Sequence, residues 1–156
     1  MKKISLLLAI VMLLSSFVIF ASAEIDTSKF ECIDGIVYFE NRLQIKAGEI
    51  IEQSGDSSLV VISKDGKVFA SDENVPNGAY VAVMENGEVT EKVQICVKED
   101  VNCDGRVTAA DARLALRTSA KLETLSMIQK LAADVNDDDK ITAADARLIL
   151  RKPAKI

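Results

Sequence analysis

The chain has no histidine and no tryptophan. Without an imidazole, Ser-His-Asp and Cys-His nucleophilic schemes and histidine metal sites are excluded. Aromatic residues make up only 4% of the sequence. After the apolar run at the start they are Phe30, Tyr38, Phe39, Phe69 and Tyr80. A small core needs most of these, which leaves little to stack on sugar rings. Positive charge is also in deficit, with 19 Lys and Arg against 24 Asp and Glu, and an acidic chain is a poor nucleic-acid ligand. Cysteine is sparse: Cys32, Cys96 and Cys103 are odd in number and cannot all pair internally. Cys32 and Cys96 are either cross-strand partners in a disulfide or free thiols like Cys103.

What the chain does have is a duplication. The stretch from Asp100 to Arg117 returns from Asp134 to Arg151, with 13 of 18 positions identical at an offset of 34 residues. Each copy sets side-chain oxygens at positions 1, 3, 5, 9 and 12 of a 12-residue loop, the spacing by which a loop wraps a calcium ion. In the first copy these are Asp100, Asn102, Asp104, Thr108 and Asp111, with the Arg106 carbonyl at position 7. In the second they are Asp134, Asn136, Asp138, Thr142 and Asp145, with the Lys140 carbonyl. Calcium is a hard cation that takes six to eight oxygens, and it removes the repulsion among the carboxylates. Two calcium ions are therefore expected. Position 6 is Gly105 in the first loop and Asp139 in the second, where the turn wants φ > 0. The second site is expected to be the weaker.

Thr108 and Thr142 also read as helix N-caps, with Asp111 and Asp145 three residues on as capping-box partners. Leu114 and Leu116, and likewise Leu148, Ile149 and Leu150, supply each helix's apolar side. Before Asp100, Val93-Gln94-Ile95-Cys96-Val97 alternates like a strand, so the first unit lacks an entering helix.

Asp-Val-Asn-x-Asp followed by Thr-Ala-Ala-Asp-Ala-Arg-Leu-x-Leu-Arg, twice, with a short helix between, resembles a type I dockerin over about residues 99–153. The resemblance implies a calcium-folded module that docks onto a cohesin domain and assembles cellulosome-like complexes for polysaccharide breakdown. By motif position it assigns partner contact to Ala109, Ala110, Leu116 and Arg117, and to Ala143, Ala144, Leu150 and Arg151. The best-known dockerins carry hydroxyl residues where this chain has the Ala pairs, which bears on partner identity. The near-duplicate surface implies that either helix can dominate the contact.

Met1-Lys2-Lys3, an apolar run from Ile4 to Phe20 and Ala21-Ser22-Ala23 read as a secretory signal peptide, residues 1–23. The run is short for a membrane span and has no basic flank after it. Cleavage removes Lys2 and Lys3 and no acid, moving the net charge from −5 to −7. The expected product is secreted, free of the membrane, and held at a cell surface only through a scaffold.

Residues 24–98 read as a small β-rich domain preceding an all-α dockerin module at 99–156, an α+β chain overall. Hairpins are expected at Leu59–Ile62 with Val68–Ala70 about Asp65-Gly66, and at Tyr80–Met84 with Val89–Val97 about Asn86-Gly87. Earlier strands fall at Cys32-Ile33 and Ile36–Phe39 about Asp34-Gly35, and at Arg42–Ile45. Short helices are expected at Gly48–Gln53 and Leu122–Ala133. Carboxylate pairs can hydrolyse glycosides, but Glu31, Glu40, Glu49, Glu52, Glu85, Glu88 and Glu91 are scattered, and a domain of this size leaves no room for a sugar cleft. No catalytic residue is assigned. A non-catalytic dockerin protein is expected over a calcium protein without a cohesin partner or a small accessory component of a glycoside-hydrolase system.

Overall fold

Two dipeptides with φ > 0 at both residues set the turns of a five-stranded sheet. Asp34-Gly35 (φ 51° and 75°) joins β1 (Glu31–Ile33) to β2 (Ile36–Phe39). Asn86-Gly87 (54° and 84°) joins β4 (Tyr80–Glu85) to β5 (Glu88–Val97), the geometry that two-residue hairpins require. This is a computed structural model that describes residues 24–40 and 42–152; the expected signal peptide lies outside them.

With β3 (Val60–Ile62) at one edge, the strand order is β1-β2-β5-β4-β3. All neighbours are antiparallel except β2 and β5. The parallel pair sets the end of β5 beside Phe39, where Lys98 N donates to Phe39 O at 2.9 Å. The first loop begins from that point. Helix α1 (Ala47–Ser54) buries Ala47 and Ile50 in a core with Val37, Val61, Val81 and Ile95. Burial on that scale stabilises by about 1.5–3 kcal/mol per large aliphatic side chain.

A second cluster holds the helical part together. Helices α2 (Ala109–Ser119) and α4 (Ala143–Arg151) pack on each other, and α3 (Met127–Ala133) packs on β5. Ala112, Ala115, Ala146 and Ile149 close over Val101, Val107, Leu125 and Ala133. The two copies thus bury equivalent helix positions, Ala112 and Ala146, in one core.

Three expectations change, and one open alternative closes. Arg42–Ile45 is not a strand: Leu43 O accepts from Val107 N at 2.7 Å and Ile45 O from Val75 N at 2.8 Å, so the segment is shared between loop and sheet. Val68–Ala70 makes one isolated bridge, Val68 to Ile62, and stops where the Glu73 carboxylate takes the Ala70 N–H at 2.7 Å. The helix expected from Leu122 starts at Met127, because Ser126 and Gln129 form a capping box there. Cys32 and Cys96 are not neighbours, since β2 lies between them (Cys32 opposite Val37, Tyr38 opposite Cys96), and all three thiols are free. Burial pushes the Cys96 thiol up to about 12.

Candidate functional site

The first loop starts where β5 ends and closes where α2 begins. Asp100 is fully buried. Its Oδ1 accepts from Asp104 N at 3.1 Å, and its Oδ2 from Gly105 N at 3.0 Å and Asn77 N at 2.9 Å. Asp111, also fully buried, accepts from Asn102 N at 3.0 Å and from Thr108 N at 2.8 Å. Thr108 Oγ1 also accepts from Ala110 N at 3.2 Å, and the expected capping box between Thr108 and Asp111 is present. Two carboxylates from opposite ends of the loop are thereby turned inward.

The second loop repeats this arrangement. Asp134 accepts from Asp138 N at 3.1 Å and Asp139 N at 2.8 Å. Asp145, fully buried, accepts from Val135 N at 3.1 Å, Asn136 N at 3.4 Å and Thr142 N at 2.9 Å. Thr142 is again a capping box partner. Positions 4 and 6 have φ > 0 in both loops: Cys103 (60°) and Gly105 (81°), Asp137 (54°) and Asp139 (62°). The left-handed turn expected at Asp139 is present.

The remaining candidate ligands are placed differently. Asp104 accepts from Arg106 N at 2.9 Å and Asn102 Nδ2 at 2.8 Å, and Asp138 from Lys140 N at 3.0 Å and Asn136 Nδ2 at 2.9 Å. Among the described residues no three acidic or thiol side chains gather closely enough to hold an ion by themselves. Electrostatics at the start of the first loop favours a cation nonetheless. Burial, opposed by bonds from Asn77 and Gly105 and aided by the charge of Asp111, pushes the Asp100 carboxyl up to about 6. Burial also raises Asp145, but the Thr142, Val135 and Asn136 hydrogen bonds outweigh it and hold that carboxyl below its usual range. A donor set made only of oxygens, with buried like charges, fits a hard divalent cation.

All eight residues assigned to partner contact are exposed. Ala109, Leu116, Ala143 and Leu150 come together in an apolar groove of about 370 Å³ between α2 and α4. Leu116 and Leu150 are 50% and 51% exposed there. Ala110 and Arg117 lie on a flank, where Arg117 pairs with Glu123 at 2.8 Å. Ala144 is at the first turn of α4, and Arg151 stands beside Lys152 near Glu40 and Glu99. Sequence reasoning missed Ala112, Arg113, Ala146 and Arg147 in the groove, although spacings of three and four residues from Ala109 and Ala143 reach them.

Leu43, Asn77 and Lys98 of the sheet region bond to the loops without any signal in the loop motif, Lys98 donating to Asp134 O at 2.8 Å and to Asp137 Oδ1 at 2.6 Å. No curated protein and no solved structure matches the chain. The segment that carries both loops and the paired helices, residues 98–152, matches the family model of the dockerin type I domain.

Proposed function

We propose that residues 99–156 form a calcium-folded dockerin module which binds a cohesin domain, and that residues 24–98 are a non-catalytic passenger domain. On this reading a secreted chain is tethered through a scaffold protein to a cellulosome-like polysaccharide-degrading complex. Two calcium ions are held, one by Asp100, Asn102, Asp104, the Arg106 carbonyl, Thr108 and Asp111. The other is held by Asp134, Asn136, Asp138, the Lys140 carbonyl, Thr142 and Asp145. Calcium supplies charge neutralisation, and the loops so fixed hold α2 and α4 in register.

The observation that carries this reading is the groove. Equivalent positions of the two copies, Leu116 with Ala109 and Leu150 with Ala143, line it together, and no residue of the sheet region does. A calcium protein without a partner would bury those leucines against its own sheet; here both stay half-exposed. The test is capture on immobilised cohesins from the same secretome, with calcium and with EDTA. Calcium-dependent capture that Leu116→Asp plus Leu150→Asp removes is the expected result. Capture indifferent to both changes would overturn the docking face.

A further inference from the structure

The sheet region carries part of the first loop's support. Asn77 is buried, and it sits 23 positions before Asp100 in the chain. Its backbone N–H donates to Asp100 Oδ2 at 2.9 Å. Its side chain is fixed at both ends: Oδ1 accepts from Val97 N at 3.2 Å, and Nδ2 donates to Ile128 O at 3.1 Å. One residue therefore ties the last residue of β5, helix α3 and the first ligand carboxylate together.

The contact around it is close. Val107 N, at loop position 8, donates to Leu43 O at 2.7 Å. A Cβ built on Gly105 would lie 3.2 Å from Asn74 Cβ and 3.5 Å from Pro76 N, so the 74–77 segment is seated directly on the loop. Among the described residues the second loop has no counterpart to Asn77. Both Asp134 oxygens accept from that loop's own backbone, and the sheet region reaches the loop through Lys98, at a carbonyl and at Asp137, neither of them a candidate ligand atom.

We infer that Asn77 is a positioning residue for the first calcium site, so that the sheet region completes that site and leaves the second to its own loop. Holding the Asp100 carboxylate in place before the ion arrives spares the ordering that binding would otherwise cost. Outer-shell partners of this kind typically change metal affinity about 10–100-fold when lost. The inference rests on the calcium reading above and deepens it.

The test uses the full chain and calcium alone, measured by calorimetry. Asp134→Ala isolates the first site and Asp100→Ala isolates the second. Asn77→Ala keeps the N–H that reaches Asp100 but removes the two side-chain bonds that hold it in place, to Val97 N and Ile128 O; it is expected to weaken calcium about tenfold in the first background and to change it less than about twofold in the second. Equal loss in both backgrounds, or none in the first, overturns the inference. If the parent chain binds no calcium at all, the calcium reading fails instead. Amide exchange of the unmutated chain gives a measurement that no variant can spoil by misfolding. The Asn77 and Val107 amides are expected to slow on adding calcium while the Val61 amide is unchanged. Indifference of the Asn77 and Val107 amides overturns the inference.

Discussion

The two loops share their ligand pattern, yet the structure holds them in different ways. In the first, Asp100 is fully buried and bonded to a distant segment. In the second, Asp134 is bonded within its own loop and lies against open acidic residues, Asp137, Asp138 and Asp139. Duplication copied the candidate ligands and the capping boxes. It did not copy the surroundings, because only the first loop is joined directly to β5 and pressed against residues 74–77.

The largest expected effect comes from removing calcium. EDTA should abolish most of the helical far-UV CD signal, because the helical core is small and rich in alanine and a module of this size needs the ions as a staple. The sheet has its own core and should survive. Unchanged CD after chelation would refute calcium-dependent folding. Asp100→Ala with Asp134→Ala should abolish cohesin capture, and Asp100→Ala alone should weaken it more than Asp134→Ala alone.

pH sharpens the contrast next. In the ion-free protein the Asp100 carboxyl, at about 6 when folded against an ordinary 3.8, keeps its proton longer folded than unfolded. Its effect on stability is neutral below about pH 4, grows steadily less favourable between about pH 4 and 6, and levels off above that at a cost of roughly 3 kcal/mol. Calcium needs the ionised form, so first-site affinity should fall about tenfold from pH 7 to pH 5. Asp145 is held low by its hydrogen bonds and gives the second site no such loss. Calorimetry on the Asp134→Ala and Asp100→Ala chains at both pH values checks this; parallel curves would erase the difference.

Position 6 tests the packing. Gly105→Asp places a Cβ 3.2 Å from Asn74 Cβ at φ 81°, and should cost about 1–3 kcal/mol in thermal unfolding with calcium. Lys98→Met should cost about 1–2 kcal/mol, because Asp134 O loses its buried donor and Asp137 its ion pair. Burial penalises that ammonium, but Asp137 more than compensates and raises its pKa, so the lysine stays charged throughout the range of interest.

Much of this was legible in the sequence, and the limits have physical causes. Both capping boxes and the turns at Asp34-Gly35 and Asn86-Gly87 follow from local rules, a hydroxyl before a helix and paired residues tolerant of φ > 0. Leu116 and Leu150 were singled out by the family resemblance rather than by spacing, which reads them as part of each helix's apolar side; both are half-exposed. What could not be read were contacts across the chain. Arg42–Ile45 alternates like a strand, yet Leu43 bonds to Val107, 64 residues on. Nothing near Asn77 marks it as a neighbour of Asp100. Whether Cys32 and Cys96 pair stayed open in the sequence, and the β1-β2-β5 order, which puts a strand between them, decides it.

The smallest effect is the reciprocal change, Asp139→Gly. Asp139 adopts φ 62°, a region that costs a non-glycine residue about 1 kcal/mol, and its side chain is exposed. Glycine relieves that strain but is more disordered when unfolded, which offsets part of the gain. Its N–H keeps the bond to Asp134 Oδ2, 2.8 Å in the parent. The net result should be about 0.5 kcal/mol of added stability, with a slightly tighter second site and an unaltered first, measured by thermal unfolding in calcium and by calorimetry in the Asp100→Ala chain. A loss of stability would mean that the aspartate carboxyl itself serves the ion, and the weaker-second-site expectation would then have to be abandoned.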